Sequence, residues 1–158
     1  MEVTVRQFHR KRLLKLAEFL ETLPPKDFDI SWWRAECEGS DGKCGTTYCA
    51  VGWATTFPEN RRAGLTLSSA KSDYTPKFKP VSEQDKRYCK AADREDGAVW
   101  KRAGTYLGGT AAERFFGLTE KQAEGLFYWL PGGKHPTARQ VAKQIRRVVE
   151  KATAAEAK

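Results

Sequence analysis

Lys43–Pro58 reads KCGTTYCAVGWATTFP, and how this stretch folds decides the architecture around it. Two of the chain's four cysteines, Cys44 and Cys49, lie here among small residues and a tryptophan. Thr46, Cys49, Ala50, Trp53 and Phe57 recur at the spacing of one helix side. That pattern predicts a packed helix over Thr46–Phe57, ended by Pro58. Free cysteine packs as a small hydrophobe, and Ala50, Gly52 and Ala54 would let neighbouring helices approach closely. Core packing therefore accounts for the small residues as well as for the cysteines.

Two chemical readings stand beside it. Cys44 precedes the expected helix start, where free N–H groups and the helix dipole favour a thiolate. A catalytic cysteine also needs a base, and the histidines are His9 and His135. His9 falls on an apolar stripe and His135 in a turn, so Cys44–His135 is the candidate pair of a cysteine-dependent hydrolase. For a metal, Cys37, Cys44 and Cys49 supply three thiolates, with Cys89 or a histidine as the fourth ligand. Their C-x6-C-x4-C spacing lacks the paired C-x2-C knuckle that marks a zinc site. The pattern requires neither chemistry, so no catalytic residue, metal or cofactor is assigned.

Outward from this stretch, most segments read as helices. Val5, His9, Leu13, Leu16 and Leu20 recur at helical spacing, and Pro24-Pro25 stops that first helix. The loop that follows carries Trp32 and Trp33 beside Arg34, which suit base stacking or a protein anchor as well as closure of the core. LTLS and YTPKFK predict a two-stranded hairpin, with Pro76 tolerable only on an edge. The polar segment Val81–Gly97 is helical around Glu83–Arg94, with Asp93, Glu95 and Asp96 in a solvated acidic loop, and Ala98–Tyr106 continues as a short helix. Thr110 caps a helix through Phe116, and Gly117 closes it in a left-handed conformation. Thr119 and Gln122 form a capping box for a helix that turns Ala123, Leu126, Phe127 and Leu130 inward.

Thr137 caps a long last helix. Val141, Ala142, Ile145, Val148 and Val149 form its inner face, and Arg139, Lys143, Arg146 and Arg147 its outer face. The expected fold is mainly α: five or six helices packed in one domain over residues 1–152, a small two-stranded β-hairpin, and a flexible tail over 153–158.

The net charge of +8 is unevenly placed. Met1–Lys15 holds five basic residues against one acidic, and Lys134–Lys158 seven against two, so the middle of the chain is nearly balanced. Basic ends of this kind steer acidic partners, nucleic acid or an acidic protein surface. No run reaches the roughly 20 apolar residues that cross a bilayer, and the charged N-terminus lacks the apolar core of a signal peptide. A cytoplasmic protein with reduced thiols and no membrane partner is expected.

CGTTYCAVGWA, AGLTL, AAERFFGLTEKQAEGLF and HPTARQVAKQIRRVV follow one another in that order. The arrangement resembles a family of small bacterial and bacteriophage proteins with CGTxxCAxGxA, FFGLxxxQAxxLF and a closing VAxxIR helix. The likeness covers about three quarters of the chain. It carries over no catalytic or binding residue. It implies a setting, that of a small accessory protein of bacteria or their phages, a class that often binds and blocks a host enzyme or defence complex.

The expected function is non-enzymatic binding of an acidic protein or nucleoprotein complex. Arg139, Lys143, Arg146 and Arg147 would hold the partner, with Arg6, Arg10, Trp32 and Trp33 assisting, and inhibition of a host defence complex is the most concrete form. Direct binding of DNA or RNA by the same helices is the alternative, followed by the Cys44 hydrolase.

Overall fold

A computed structural model of the chain describes residues 6–28, 34–36, 46–67, 75–97, 99, 101–127 and 136–157. Helix α1 (Gln7–Thr22) turns His9, Leu13, Leu16, Ala17 and Leu20 into the core. Each buried leucine contributes about 2 kcal/mol of transfer free energy to that face. The last helix, α7 (Ala138–Glu156), buries Ala138, Val141, Ala142, Ile145 and Val149 behind the capping box of Thr137 and Gln140. α1 and α7 form the largest helix pair in the fold. Arg10 meets Glu156 while Arg146 meets Glu21, so the two helices run antiparallel. Residues 153–156, expected as a flexible tail, continue α7, because Ala152 packs against the core and Glu156 has a cationic partner.

The opening stretch folds differently from its helical pattern. Arg34–Glu36 (β1) and Thr46–Tyr48 (β2) pair antiparallel, so Thr46 lies in a strand. The β-branched and aromatic run Thr-Thr-Tyr suits a pleated strand once a partner is at hand. Cys49 is the N-cap of α2 (Ala50–Ala54), its Sγ accepting from the Gly52 N–H at 3.4 Å. Pro58, expected as a terminator, instead opens α3 (Pro58–Arg62), where its missing N–H is no loss. Cys49, Ala50, Val51 and Ala54 are buried, with Trp53 and Phe57 packed partly against the core, so Cys49–Phe57 packs as read, while Cys44 lies outside the described residues.

β3 (Leu65–Leu67) and β4 (Pro76–Phe78) form the expected hairpin pair. They are half of a larger antiparallel sheet of order β3-β4-β6-β5, completed by β5 (Lys101–Arg102) and β6 (Thr105–Leu107). β4 is thus interior rather than an edge. Pro76 is accommodated because β6 reaches only Lys77 and Phe78. The short helix expected over Ala98–Tyr106 is replaced by a β5–β6 hairpin with a two-residue turn. Ala103 and Gly104 both adopt positive φ, 49° and 79°, as a twisted hairpin turn requires.

α4 (Glu83–Asp96) is capped by Ser82, whose hydroxyl accepts from the Asp85 N–H. It absorbs Asp93, Glu95 and Asp96, which were expected in a loop. α5 (Gly108–Phe116) starts two residues before Thr110, with Leu107 at its cap, and Gly117 closes it at φ 68°. Thr119 and Gln122 form the capping box of α6 (Glu120–Phe127). Seven α-helices among the described residues surround one core that includes Leu16, Phe78, Phe115, Phe116 and Ile145. The architecture is mainly α, and its β element is larger than a single hairpin.

Candidate functional site

α4 is charged throughout, and the fold sorts its charges by side. Arg12 of α1 grips Asp85 with two guanidinium hydrogen bonds of 2.8 and 2.7 Å and donates a third, of 2.9 Å, to the Phe115 carbonyl. Asp85 is fully buried, and the Arg12 guanidinium lies 4.1 Å from the Phe115 ring centroid. At the other end Arg114, 1% exposed, donates to Asp93 at 3.0 Å and pairs with Asp96 at 2.8 Å. The Tyr106 hydroxyl adds a hydrogen bond of 2.7 Å to Asp93, and Lys101 one of 3.3 Å. Burial works against the charge on Asp93, yet the bonds from Tyr106, Arg114 and Lys101 hold its carboxyl below the usual range. Both clamps join an inward aspartate of α4 to an arginine from another helix.

With those carboxylates neutralised from within, one row of α4 is left basic, while Glu83 and Glu95 stay exposed near its two ends. Lys86, Lys90 and Arg94 stand four residues apart on the helix and are exposed. They line an open groove of about 620 Å³, faced by Lys79 after β4 and Lys101 on β5. Asp93 is the sole carboxylate among its lining residues. Tyr106 and Cys89 form its floor, each only 2% exposed. Burial pushes the Cys89 thiol up to about 12, so it is a protonated, inert group. The signal for this groove in the sequence is the i, i+4, i+8 row of cations in 83–94. Lys79 and Lys101 join it only through the sheet.

The basic ends are less available than their charge suggests. Arg10 is paired with Glu156, and Arg146 binds Glu21 through two hydrogen bonds of 2.6 and 3.1 Å. These pairs hold α1 and α7 together. Arg6 is exposed and stands 5.6 Å from the Tyr88 ring centroid. Arg139, Lys143 and Arg147 are exposed along α7 and have no ion pair among the described residues.

His9 is fully buried between Phe8, at 3.8 Å between ring centroids, and Tyr88, at 4.4 Å. Neither of its nitrogens has a hydrogen-bond partner among the described residues. Burial, reinforced by Arg12 and Arg6, lowers its pKa to about 3, so it is a neutral packing group. Gly117 lies against it: a Cβ at that position would come within 2.4 Å of His9 Nδ1. Cys49 is buried at its cap position and belongs to the core. Cys37, Cys44, His135, Trp32 and Trp33 fall outside the described residues, and with them the Cys44–His135 pair and two of the four proposed metal ligands. Among the described residues no group of three or more His, Cys, Asp or Glu is placed to hold a metal, and no helix is long and apolar enough to cross a membrane.

Comparison with protein-family models, with curated proteins and with solved structures finds no match to this chain.

Proposed function

We propose that the chain is a non-enzymatic binding protein whose basic surface recognises an acidic partner, a protein or nucleoprotein complex. The observation that carries this reading is the row Arg139, Lys143 and Arg147 on α7. The three are exposed, about 6 Å apart along the axis, opposite a face buried in the core. A cation outside an ion pair adds more of its field to the surface than a paired one and steers oppositely charged partners. Arg10 and Arg146 contribute less, because each already has a carboxylate beside it. Cys49, Cys89 and His9 are core groups, and the alternative of a cysteine-dependent hydrolase rests on Cys44 and His135, which lie outside the described residues. In the bacterial or phage setting that the resemblance implies, blocking a host defence complex is the most concrete action.

Affinity capture from a bacterial lysate at rising salt tests the reading. The native chain should retain an acidic partner that Arg139→Glu/Lys143→Glu/Arg147→Glu releases at lower salt. Equal retention by both chains would remove the electrostatic argument. Cys44→Ser should leave capture unchanged, and a loss of function with intact folding would favour the hydrolase instead.

A further inference from the structure

We propose that the groove between α4 and the sheet binds the phosphate backbone of a single nucleic-acid strand, independently of its sequence. The inference rests on the reading above only in taking the partner to be acidic. It chooses among acidic partners and places the contact away from α7.

Three features carry it. First, the cations form two facing walls: Lys86, Lys90 and Arg94 along α4, Lys79 and Lys101 on the sheet side. The helical row spaces its charges about 6 Å apart over about 12 Å, so the groove presents a line of charge, suited to a chain with one fixed anion per unit. Second, the groove's one carboxylate is already occupied. Asp93 accepts from Tyr106, Arg114 and Lys101, and so offers little repulsion to an incoming anion. Third, the floor is closed: Tyr106 and Cys89 are too buried to offer a stacking face or a side-chain pocket. Single-strand binders often add aromatic stacking to a basic groove, and this floor offers none, so the contact is confined to the backbone; it also lacks the alternating side-chain pockets that peptide recognition uses. Four of the five cations are lysines, point charges that bind phosphate oxygens without the paired geometry by which arginine grips a carboxylate.

Fluorescence anisotropy with a labelled oligothymidylate of about 15 nucleotides provides the test. Lys86 and Lys101 have acidic neighbours at 3.4 and 3.3 Å, so about four phosphates are neutralised in effect. For a single strand this gives a log–log salt slope of about −2.8, or roughly 50-fold weaker binding between about 50 and 200 mM salt. Lys90→Gln/Arg94→Gln should flatten the slope to about −1.4 and cut that loss to about sevenfold. Both side chains are exposed, and circular dichroism checks that the variant folds. Arg139→Glu/Lys143→Glu/Arg147→Glu should bind the oligonucleotide as the native chain does. A native salt slope in the Lys90/Arg94 variant, absence of binding at about 50 mM salt, or poly-glutamate of equal charge binding as tightly would overturn the inference. If the α7 variant alone lost the oligonucleotide, the groove assignment would fail while the acidic-partner reading stood. If lysate capture ignored α7 but the groove variant still lost the strand, the reverse would hold.

Discussion

Glu113→Gln should make the stability of this protein rise between pH 4.5 and 6.5, a range in which the native chain is nearly flat. The reason is a pair of buried groups that titrate in opposite directions. The unfolded chain protonates His9 below pH 6.5, while the folded chain keeps it neutral down to about 3. Over that interval the unfolded state binds the extra proton, so stability falls as pH falls, by about 1.4 kcal/mol per pH unit for one group. Between pH 6.5 and 4.5 the His9 contribution is therefore about 2.3 kcal/mol, a sizeable part of a typical domain's stability. Glu113 acts the other way. Burial raises its carboxyl from 4.5 to about 7, helped by Glu120, Asp96 and Glu124 and opposed by Arg114. The folded state then holds a proton that the unfolded chain has released, so this contribution is complete below pH 4.5 and is lost as pH rises through about 7. In the shared window the two slopes cancel.

Urea unfolding at half-unit pH steps, followed by tryptophan fluorescence, measures this directly. In Glu113→Gln the His9 slope should emerge, and in His9→Leu the Glu113 slope, with stability falling as pH rises. Glu21 and Asp93, both held below their ordinary values, lose their contributions only at lower pH and leave the window clear. A Glu113→Gln profile that stayed flat across the window would refute the neutral state of His9.

Gly117→Ala should destabilise by about 3 kcal/mol, since a side chain there meets both an unfavourable backbone and the His9 ring. His9→Ala in the same chain should recover the steric part, which a double-mutant cycle in urea would read as coupling. Asp85→Ala should cost about 3 kcal/mol in the same assay, because it leaves Arg12 unpaired in a largely buried site. Ala103→Gly should stabilise by about 1 kcal/mol through relief of the positive φ at the β5–β6 turn, and a lowered melting temperature would count against that turn geometry.

The parts of the fold legible in the sequence are those where one local cause dominates. The apolar stripes of α1 and α7, the capping boxes at Thr119 and Thr137, and the left-handed Gly117 are each contained within a few residues. Thr46–Tyr48 carries a helical pattern because its strand partner, Arg34–Glu36, lies outside the local stretch. Lys101–Leu107 pairs with itself as a hairpin, and only β6 reaches a distant strand, β4. Ala103-Gly104 also lacks the Asn-Gly or Asp-Gly signature of a tight hairpin. The candidate site shows the same limit. The surplus of charge at the ends was countable, but the engagement of Arg10 and Arg146 was not, since their partners are remote in sequence. α4 looked unremarkable because its acidic and basic residues nearly balance. Only Arg12 and Arg114, arriving from α1 and α5, engage Asp85, Asp93 and Asp96 and leave the row Lys86, Lys90 and Arg94 facing outward, with Glu83 and Glu95 exposed on the same helix.

The antiparallel pairing of α1 with α7 has a consequence for how the chain is made. α1 is synthesised before α7, yet α7 is its main neighbour among the described residues, so its leucine face has no full cover until α7 has emerged. During synthesis that face is exposed apolar surface, of the kind that chaperones hold and that aggregates when left uncovered. Closure by the most distant pair of helices also makes the final folding step a long-range one, slow relative to the formation of the helices themselves. α1 waits for α7.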